Sequence, residues 1–455
     1  MTATVPSVAR GGVAPGRRAL VVLVAVVVAN LVVVELLFAA HGAGKNTVLT
    51  VAKFVGLHAA LVMMLQLVLV ARLPWLDRRL GMDRLTAWHR WVGFTLLWTV
   101  LLHGSLIVVG YATLDGVPLL RTFGALAGVP ASLLGMVAAA LLTLVAGISV
   151  RLARRRLSYE TWHALHLIAY LAVLVALTHQ LLEGTTFNAS PLHLAYWSTL
   201  WGAVVAAFVV GRIVMPLWRN SYHRFVVSAV VPESPNVVSV HVTGRHLDEL
   251  PARAGQFFIW RFPGHNRWWQ ANPFSLSAAP DGRSLRLTAK AVGGTSAGLR
   301  HLPIGTRVFA EGPYGAFTGL HQARDATLLI AGGVGVTPIR ALLEASSGPV
   351  VVLYRVRAPE DAVLLPELQA LAAAKGARLH VLIGRTGSAP APGAPPGAPP
   401  GSPFDPQPLA TLVPDIRERD VYVCGPPGMT AAVLASLRAL GVPRRQVHAE
   451  RFSLA

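Results

Sequence analysis

HRWVGFTLLWTVLLH, residues 89–103, and HLIAYLAVLVALTH, residues 166–179, are two apolar stretches each bracketed by histidines. A histidine inside a bilayer is costly and normally faces the bundle interior or a functional path. At the helical rise per residue, His103 lies about 21 Å from His89, and His179 about 20 Å from His166. Each pair of heights fits one site near either face of a membrane. The four imidazoles read as axial ligands for two stacked haems.

Helical phase treats the two pairs differently. His89 and His103 come out about 40° apart around an ideal helix, whereas His166 and His179 come out about 140° apart. The fifth apolar helix must therefore bend, or take a local π-type insertion, for both its histidines to face one partner. His163 competes with His166, but its spacing to His179 leaves about 160°.

The surrounding chain fits a membrane half joined to a soluble half. It has 455 residues, 53% hydrophobic and 13% charged, too apolar for one soluble domain and too long for a bare six-helix bundle. Apolar stretches near 19–40, 48–71, 89–111, 126–150, 162–183 and 194–216 each approach or exceed a membrane span. After Tyr222 no such stretch recurs. Phe38-Ala39-Ala40 resembles a signal-peptide cleavage site, yet the first run is too long for a typical signal peptide and reads as a retained helix.

Arginines orient the bundle. Arg10, Arg17 and Arg18 precede the first span, Arg72, Arg78, Arg79, Arg84 and Arg90 fill the second loop, and Arg151, Arg154, Arg155 and Arg156 the fourth. The other loops hold few positive charges, so both termini are expected in the cytoplasm of a cell (plasma) membrane protein, with lipid as partner. That topology and a basic soluble half explain most of the net charge of +19, and nucleic-acid binding is not expected. Cys424 is the only cysteine, which excludes an internal disulfide or a cysteine-based cluster.

Beyond Arg224, short strands such as Phe225–Val231, Val237–Val242 and Gln256–Phe262 predict a small antiparallel β-barrel up to about Thr318. Strands Thr327–Ala331, Val350–Tyr354, Leu379–Ile383 and Val421–Cys424 then alternate with helices, as in an α/β parallel-sheet domain with a nucleotide at its carboxyl edge. Thr386–Pro408, crowded with Pro, Gly and Ala, reads as a flexible insertion. The expected organisation is a cytoplasmic tail (1–18), a membrane all-α six-helix bundle (19–220), an antiparallel β-barrel domain (221–320) and a nucleotide-binding domain (321–455).

Asn272-Pro273-Phe274-Ser275-Leu276-Ser277 is the sharpest soluble motif. A flavin needs a flat apolar partner against its ring and a hydroxyl near N5, which Phe274 and Ser275 offer, with Pro273 fixing the turn. Gly293-Gly294-Thr295-Ser296, ahead of a predicted helix, offers backbone N–H groups to a pyrophosphate. Gly332-Gly333-Val334-Gly335-Val336-Thr337-Pro338 follows a strand and opens a helix, as a dinucleotide site requires, and Cys424-Gly425-Pro426 closes another strand at the same edge. Arg355 and Arg385 stand where an adenosine ribose would lie and suit a 2′-phosphate, so NADPH is expected over NADH. By itself Cys424 also reads as a small packing residue.

The order of Asn272–Ser277, Gly293–Ser296, Gly312–Gly315, Gly332–Pro338 and Cys424–Pro426 resembles the ferredoxin–NADP reductase superfamily. The preceding bundle, with Tyr159-Glu160-Thr161-Trp162 and the histidine pairs, is similar to the ferric reductase transmembrane domain. Together they cover nearly the whole chain and resemble the bacterial members of the NADPH oxidase and ferric reductase family. The resemblance implies two haem b groups, the inner on His89 and His166, the outer on His103 and His179. It implies FAD against Phe274 and Ser275, Cys424 near the nicotinamide, and Phe452 covering the flavin until nicotinamide displaces it. Asn272 stands where family members often have His or Arg, and three residues follow Phe452 where others end on the aromatic. Lys53 matches a cationic residue beside the oxygen site of animal NADPH oxidases, whereas Ile107 replaces a polar histidine found there. The implied activity is transmembrane electron transfer from NADPH to oxygen, giving superoxide. A ferric chelate is the alternative acceptor, and a haem-bearing subunit relaying electrons to a partner is the alternative class. No obligate protein partner is evident.

Overall fold

The computed structural model describes residues 15–150, 157, 159–182, 187–265, 270, 272–384 and 401–451. Arg10, Arg151, Arg154, Arg155, Arg156, Arg385, Phe452 and the stretch 386–400 lie outside them. The chain divides into two compact units, one of Gly16–Leu76 with Met82–Val214, the other mainly Met215–Ala455 together with Asp77–Gly81.

Apolar composition along whole turns makes the first unit helical: α1 (Pro15–His41), α2 (Thr47–Val70), α3 (Pro74–Leu80), α4 (Met82–Asp115), α5 (Leu119–Ala127), α6 (Pro130–Ser149), α7 (Tyr159–His166), α8 (Ile168–Leu182) and α9 (Pro191–Val209), with α10 (Met215–His223) continuing the last span. Among the described residues six segments are long and apolar enough to cross a membrane: Arg17–His41, Thr47–Val70, Arg84–Asp115, Pro130–Ser149, Thr161–Leu182 and Pro191–His223. Asn46 caps α2 by accepting from the Leu49 N–H at 2.8 Å, and its amide also donates to the Gly110 carbonyl at 2.8 Å. That bond joins α2 to α4, where Gly110 lies so close to Leu49 that an added Cβ would stand 2.6 Å from its side chain. Small residues let membrane helices approach in this way.

Two span boundaries differ from the sequence expectation. The fourth was expected from 126, but α5 ends at Ala127 and α6 begins at Pro130, with Val129 extended between them (φ −94°, ψ 117°). Proline lacks an N–H and pushes its predecessor out of the helical region, so it starts a helix where periodicity alone reads one through. The sixth runs on through a π-helical turn at Val210–Val214. There Gly211 meets the Ala71 carbonyl, 2.0 Å from where a Cβ would be.

The second unit contains two sheet modules. The strands β1 (Val226–Ser234), β2 (Val237–Thr243), β3 (Phe257–Arg261), β4 (Asn272–Ser275), β5 (Ser284–Lys290) and β6 (Phe309–Tyr314) pair antiparallel as β1-β2-β5 and β4-β3-β6. Single bridges, Val226 to Arg307 and Leu276 to Leu287, are the links between these two sheets among the described residues. The expected closed barrel is thus two three-stranded sheets around a shared core of Phe225, Phe258, Trp260, Leu276 and Leu287. Five parallel strands follow in the order β11-β10-β7-β8-β9: β7 (Thr327–Gly332), β8 (Val350–Val356), β9 (Arg378–Ile383), β10 (Asp420–Gly425) and β11 (Val447–Arg451). Helices α11 (Gly294–Gly298), α12 (Val336–Ala345), α13 (Leu365–Lys375), α14 (Pro406–Leu412) and α15 (Pro427–Ala439) complete it.

Strand β7 and strand β10 are buried throughout, as a central parallel strand requires. The insertion expected to reach Pro408 stops earlier. Phe404 is buried beside Leu409, the Asp405 carboxylate accepts from the Ser402 N–H at 2.8 Å, and α14 starts at Pro406. Burying Phe404 outweighs the local Pro and Gly content.

Candidate functional site

Strung along one uninterrupted helix, α4, are His89 and His103. The fifth span instead breaks at Leu167, directly after His166, and resumes as α8 carrying His179. The break falls between the two histidines that an ideal helix would turn apart. His89 and His166 face each other with ring centres 6.1 Å apart and planes at 71°. Two imidazoles bound to one metal from opposite sides, each by a bond of about 2 Å, have ring centres about 6 Å apart. His163 is exposed, so the geometry selects His166 over it.

Hydrogen bonds fix the tautomers. His103 Nδ1 lies 2.8 Å from the Ala52 carbonyl and His179 Nδ1 2.8 Å from the Ala131 carbonyl. A carbonyl only accepts, so both rings carry the proton on Nδ1 and leave Nε2 as a lone pair. Ser149 spends its hydroxyl hydrogen on the Val145 carbonyl at 2.7 Å and therefore accepts from His166 Nδ1 at 3.1 Å, with the same result. A metal-ligating histidine is oriented in this way by a backbone or hydroxyl acceptor. His89 Nδ1 is buried without a hydrogen-bond partner among the described residues. Gly56 and Gly135 make room for the other pair, because a Cβ there would stand 2.7 Å from the His103 ring and 2.9 Å from the His179 ring. The spacing of His89 and His166 fits two ligands of one haem iron, and His103 and His179 have the same Nδ1-bonded tautomer that a haem-binding histidine uses. Among the described residues no group of three or more His, Cys, Asp or Glu could hold a bare ion.

Lys53 turns its ammonium to the Ala43 carbonyl at 3.4 Å, at the start of the α1–α2 loop. Ile107 is half-buried on α4.

In the soluble unit Asn272, Pro273, Phe274 and Ser275 form β4, paired with β3. Phe274 is half-buried against the antiparallel core, and its carbonyl accepts from the Trp260 indole at 3.1 Å. Ser275 is buried. The Asn272 amide donates to the Trp260 and Gln270 carbonyls at 3.3 and 3.1 Å, which makes it a local strut. Leu276 corrects the sequence reading: its side chain is fully buried in the core and its N–H donates to the Gln256 carbonyl at 2.9 Å, so neither is offered to a flavin. Ser296 holds the glycine turn from within, accepting from the Val292 and Gly293 N–H groups at 3.0 and 3.1 Å. The backbone of Gly294, Thr295 and Ser296 opens α11, where N–H groups precede any intrahelical acceptor.

The glycines of the nucleotide edge fall into two groups. Added Cβ atoms at Gly293, Gly294 and Gly333 would meet nothing within 4 Å. At Gly335 one would stand 2.3 Å from the Cys424 carbonyl oxygen, at Gly332 2.6 Å from Met429 Sδ, and at Gly425 2.5 Å from Met429 Cε. The latter three bring β7, β10 and α12 together and so act on packing. Thr337 and Pro338 are buried as well, the Thr337 hydroxyl donating to the Val334 carbonyl at 3.1 Å. Gly333 and Val334 alone in this turn are partly exposed. Cys424 is wholly buried, and burial, with Glu450 alongside, pushes its thiol well up. Pro426 precedes α15 with an extended backbone. At the end of β8, Arg355 donates to the Ile383 carbonyl at 3.3 Å and keeps its other donors.

Several contacts were invisible in sequence because their partners are far apart along the chain. Asp77, from the link between the second and third spans, accepts from the Gly315 N–H at 2.9 Å, and Arg219 donates to the Gly312 carbonyl. Arg286 on β5 grips Glu367 on α13 with two bonds of 2.8 and 2.9 Å, and Arg340 on α12 adds a third at 3.0 Å. Burial pushes the Glu367 carboxyl up, but the two guanidiniums outweigh it and hold it low. This clamp ties the antiparallel module to the parallel one.

A model of the ferric reductase like transmembrane component matches residues 55–177, and one of the oxidoreductase NAD-binding domain matches residues 329–434. Ferredoxin–NADP reductase B of Sorangium cellulosum is 32% identical over 189 residues, which is 39% of this chain and 77% of that protein. Over its second half the chain belongs to the ferredoxin–NADP reductase family, and ahead of that it carries a ferric reductase like transmembrane component. This reductase is similar also to the ferredoxin–NAD(+) reductase component of the alkene monooxygenase system of Xanthobacter autotrophicus, 34% identical over 208 residues, covering 44% of this chain and 61% of that one. The reductase thus spans about three fifths of that relative. A solved structure, the flavohem-like FAD/NAD binding domain of nitric oxide dioxygenase from Vibrio cholerae, shares 25% identity at a TM-score of 0.39, covering 51% of this chain and 98% of that one. The chain thus joins a multi-pass ferric reductase like transmembrane component to an oxidoreductase NAD-binding domain. Its dehydrogenase is of the type that binds FAD and NAD(P)H.

Proposed function

We propose that the reductase moves electrons from cytoplasmic NADPH through FAD and two b-type haems to an acceptor beyond the membrane, with domains at 19–220, 221–320 and 321–455 and both termini in the cytoplasm of a plasma-membrane protein. The observation that carries this reading is the 6.1 Å spacing of the His89 and His166 rings. When bound, FAD accepts a hydride and releases single electrons, which haem can relay.

The chain's own residues supply placement and tuning. His89 and His166 hold the inner haem, His103 and His179 the outer one, and the Nδ1–H bonds to Ala52, Ala131 and Ser149 set the ring orientations and raise ligand basicity. Phe274 offers its face and Ser275 its hydroxyl to the flavin, while Gly293–Ser296 offers backbone N–H groups to its pyrophosphate. Gly333 and Val334 give the nicotinamide dinucleotide its approach, and Cys424, Gly425 and Pro426 bound the nicotinamide end. Phe452, outside the described residues, would have the role of covering the flavin that the family resemblance gives it.

Oxygen giving superoxide is the preferred acceptor. His103 and His179 would hold the outer haem through two ring nitrogens, the haem would supply single electrons there, and the Lys53 ammonium would favour a developing anion. Ferric-chelate reduction is the second reading, favoured by Ile107 in place of a polar side chain and by the matched ferric reductase component. Anaerobic spectra of the purified chain with NADPH should show reduction of two low-spin haems, followed on aeration by dye reduction sensitive to superoxide dismutase. Brisk ferric-chelate reduction without that sensitivity moves the acceptor to iron. Failure of NADPH to reduce haem in the single chain removes the electron path and favours a relay subunit.

Nucleotide preference gives a separate prediction. A charge-assisted contact to the 2′-phosphate makes Arg355→Ala lower the NADPH-to-NADH ratio of kcat/KM by about tenfold. Arg385→Ala should act in the same direction. Equal ratios in the wild type and both variants would remove the arginines from this role.

A further inference from the structure

Away from their ends, the six apolar spans contain a single carboxylate, Glu35 of α1. An ionisable residue at such a position is costly and normally carries function through a named partner. The partner here is His58 of α2, whose Nε2 lies 3.2 Å from Glu35 Oε1. On the other side of the ring, Nδ1 lies 2.8 Å from the Phe54 carbonyl. That carbonyl can only accept, so Nδ1 carries a hydrogen. A neutral ring would then point its Nε2 lone pair at a carboxylate oxygen, leaving two acceptors facing each other. The contact is favourable only with one proton between the two atoms, on Nε2 or on Oε1. Phe54 packs against His58 with ring centres 4.3 Å apart, and Phe38 meets Phe54 at 5.2 Å, so the imidazole side of the pair is apolar while the Glu35 side chain is about half exposed (48%).

The pair sits near the depth of an outer-haem ligand. Gly56, the α2 residue pressed against the His103 ring, precedes His58 by two positions. His58 is therefore about 3 Å farther along the α2 axis and about 200° round it. One helix, about 10 Å thick, separates the proton from His103. Other titratable groups on the packed elements are already engaged. Lys53 of α2 donates to the Ala43 carbonyl at 3.4 Å, and Tyr196 of α9 donates to Asn30 at 2.8 Å. His193 of α9 bonds Ser190 at 2.8 Å and the Leu37 carbonyl at 3.2 Å, and the His41 ring stands edge-on to it at 4.9 Å. His103 of α4 is bonded to Ala52.

We propose that Glu35 and His58 form a one-proton site coupled to the redox state of the outer haem. The proposal rests on the assignment of His103 and His179 as the outer ligands. An electron reaching the outer haem adds one negative charge, and a proton bound by the pair from outside water offsets it. When the electron leaves for the acceptor, the proton leaves the pair, and only its N–H or O–H bond has formed and broken. By linkage, a proton that favours reduction must itself be held more tightly after reduction. A unit charge about 10 Å away across a poorly screened helix shifts the oxidised-to-reduced ratio by about tenfold.

Spectroelectrochemical titration of the purified full chain at several pH values tests this. The outer-haem midpoint of the wild type should fall as pH rises, and Glu35→Gln and His58→Gln should lose most of that slope while both haems keep low-spin spectra. Lys53→Gln should keep it. Two haems with the same slope in the wild type and both variants overturn the proton site and leave the haem assignment standing. Absence of the outer haem spectrum from the wild type overturns both. If the variants lose haem, redox-difference infrared spectra of the wild type decide: a carboxyl or imidazole protonation change on outer-haem reduction supports the pair, and its absence overturns it.

Discussion

His103→Ala or His179→Ala should abolish acceptor reduction while leaving NADPH-driven flavin reduction intact. Each variant would lose a ligand of the proposed outer haem, the last station on the proposed outward path. Changing a residue that merely orients a ligand typically costs 10- to 100-fold, so loss of the ligand itself should lower acceptor turnover by more than about 100-fold. Flavin reduction, measured as anaerobic bleaching with NADPH, should stay within about twofold of the wild type, because Ala52 and Ala131, the carbonyls that orient the two rings, lie in the membrane unit. Gly56→Val is an independent check. It leaves all four histidines in place but drives a side chain into the His103 ring, so it should also deplete the outer haem. Retention of two low-spin haems in His103→Ala and His179→Ala would show the ligands to be misassigned.

Gly335→Ala should be the most damaging single methyl in the dehydrogenase. The new Cβ would lie 2.3 Å from the Cys424 carbonyl oxygen and 3.0 Å from Gly425 Cα, both backbone atoms of a buried strand end. No rotamer relieves that contact, so β10 or the start of α12 must move, at a cost of about 3 kcal/mol. Hydride transfer from NADPH should fall together with thermal stability, because the same displacement shifts Cys424 and the neighbouring turn. Gly428→Ala supplies the contrast. It lies in α15 with nothing within 4 Å of its Cβ position, and alanine there should stabilise by about 0.5–1 kcal/mol. Equal melting temperatures for the two variants would show that the close approach at Gly335 does not hold in solution.

The parts of this architecture that local chemistry writes were legible in sequence. Six spans follow from hydropathy, and the strand–glycine–helix order of Thr327–Pro338 follows from turn chemistry. The need for an irregularity between His166 and His179 follows from helical phase alone, and the chain breaks at Leu167. What escaped depended on distant partners or on overrides of composition. Periodicity ran through Val129, where Pro130 stops it. Strand β11, with His448, Glu450 and Arg451, has no apolar run, and it is its parallel pairing with β10 that makes it a strand. Phe404 reads as part of a Pro- and Gly-rich insertion until its burial is known. In the site, motifs located the turns but not the job of each residue in them. Leu276, Gly332, Gly335 and Thr337 belong to motifs that point to cofactors, yet their side chains or Cβ positions face protein. No local signal pairs Arg286 with Glu367, or Glu35 with His58.

The break at Leu167 gives the two sides of the bundle unequal mechanics. One wall is a single rod: α4 runs unbroken through His89 and His103, so a tilt at one end is felt at the other. The opposite wall is jointed, with the eight residues of α7 ending at His166 and the fifteen of α8 carrying His179 on the far side of the joint. Both histidines are held at Nδ1, His166 by Ser149 and His179 by Ala131, but each sits on its own short helix. Under the proposed assignment the two haems would thus share one continuous helix on one side and have separate helices on the other.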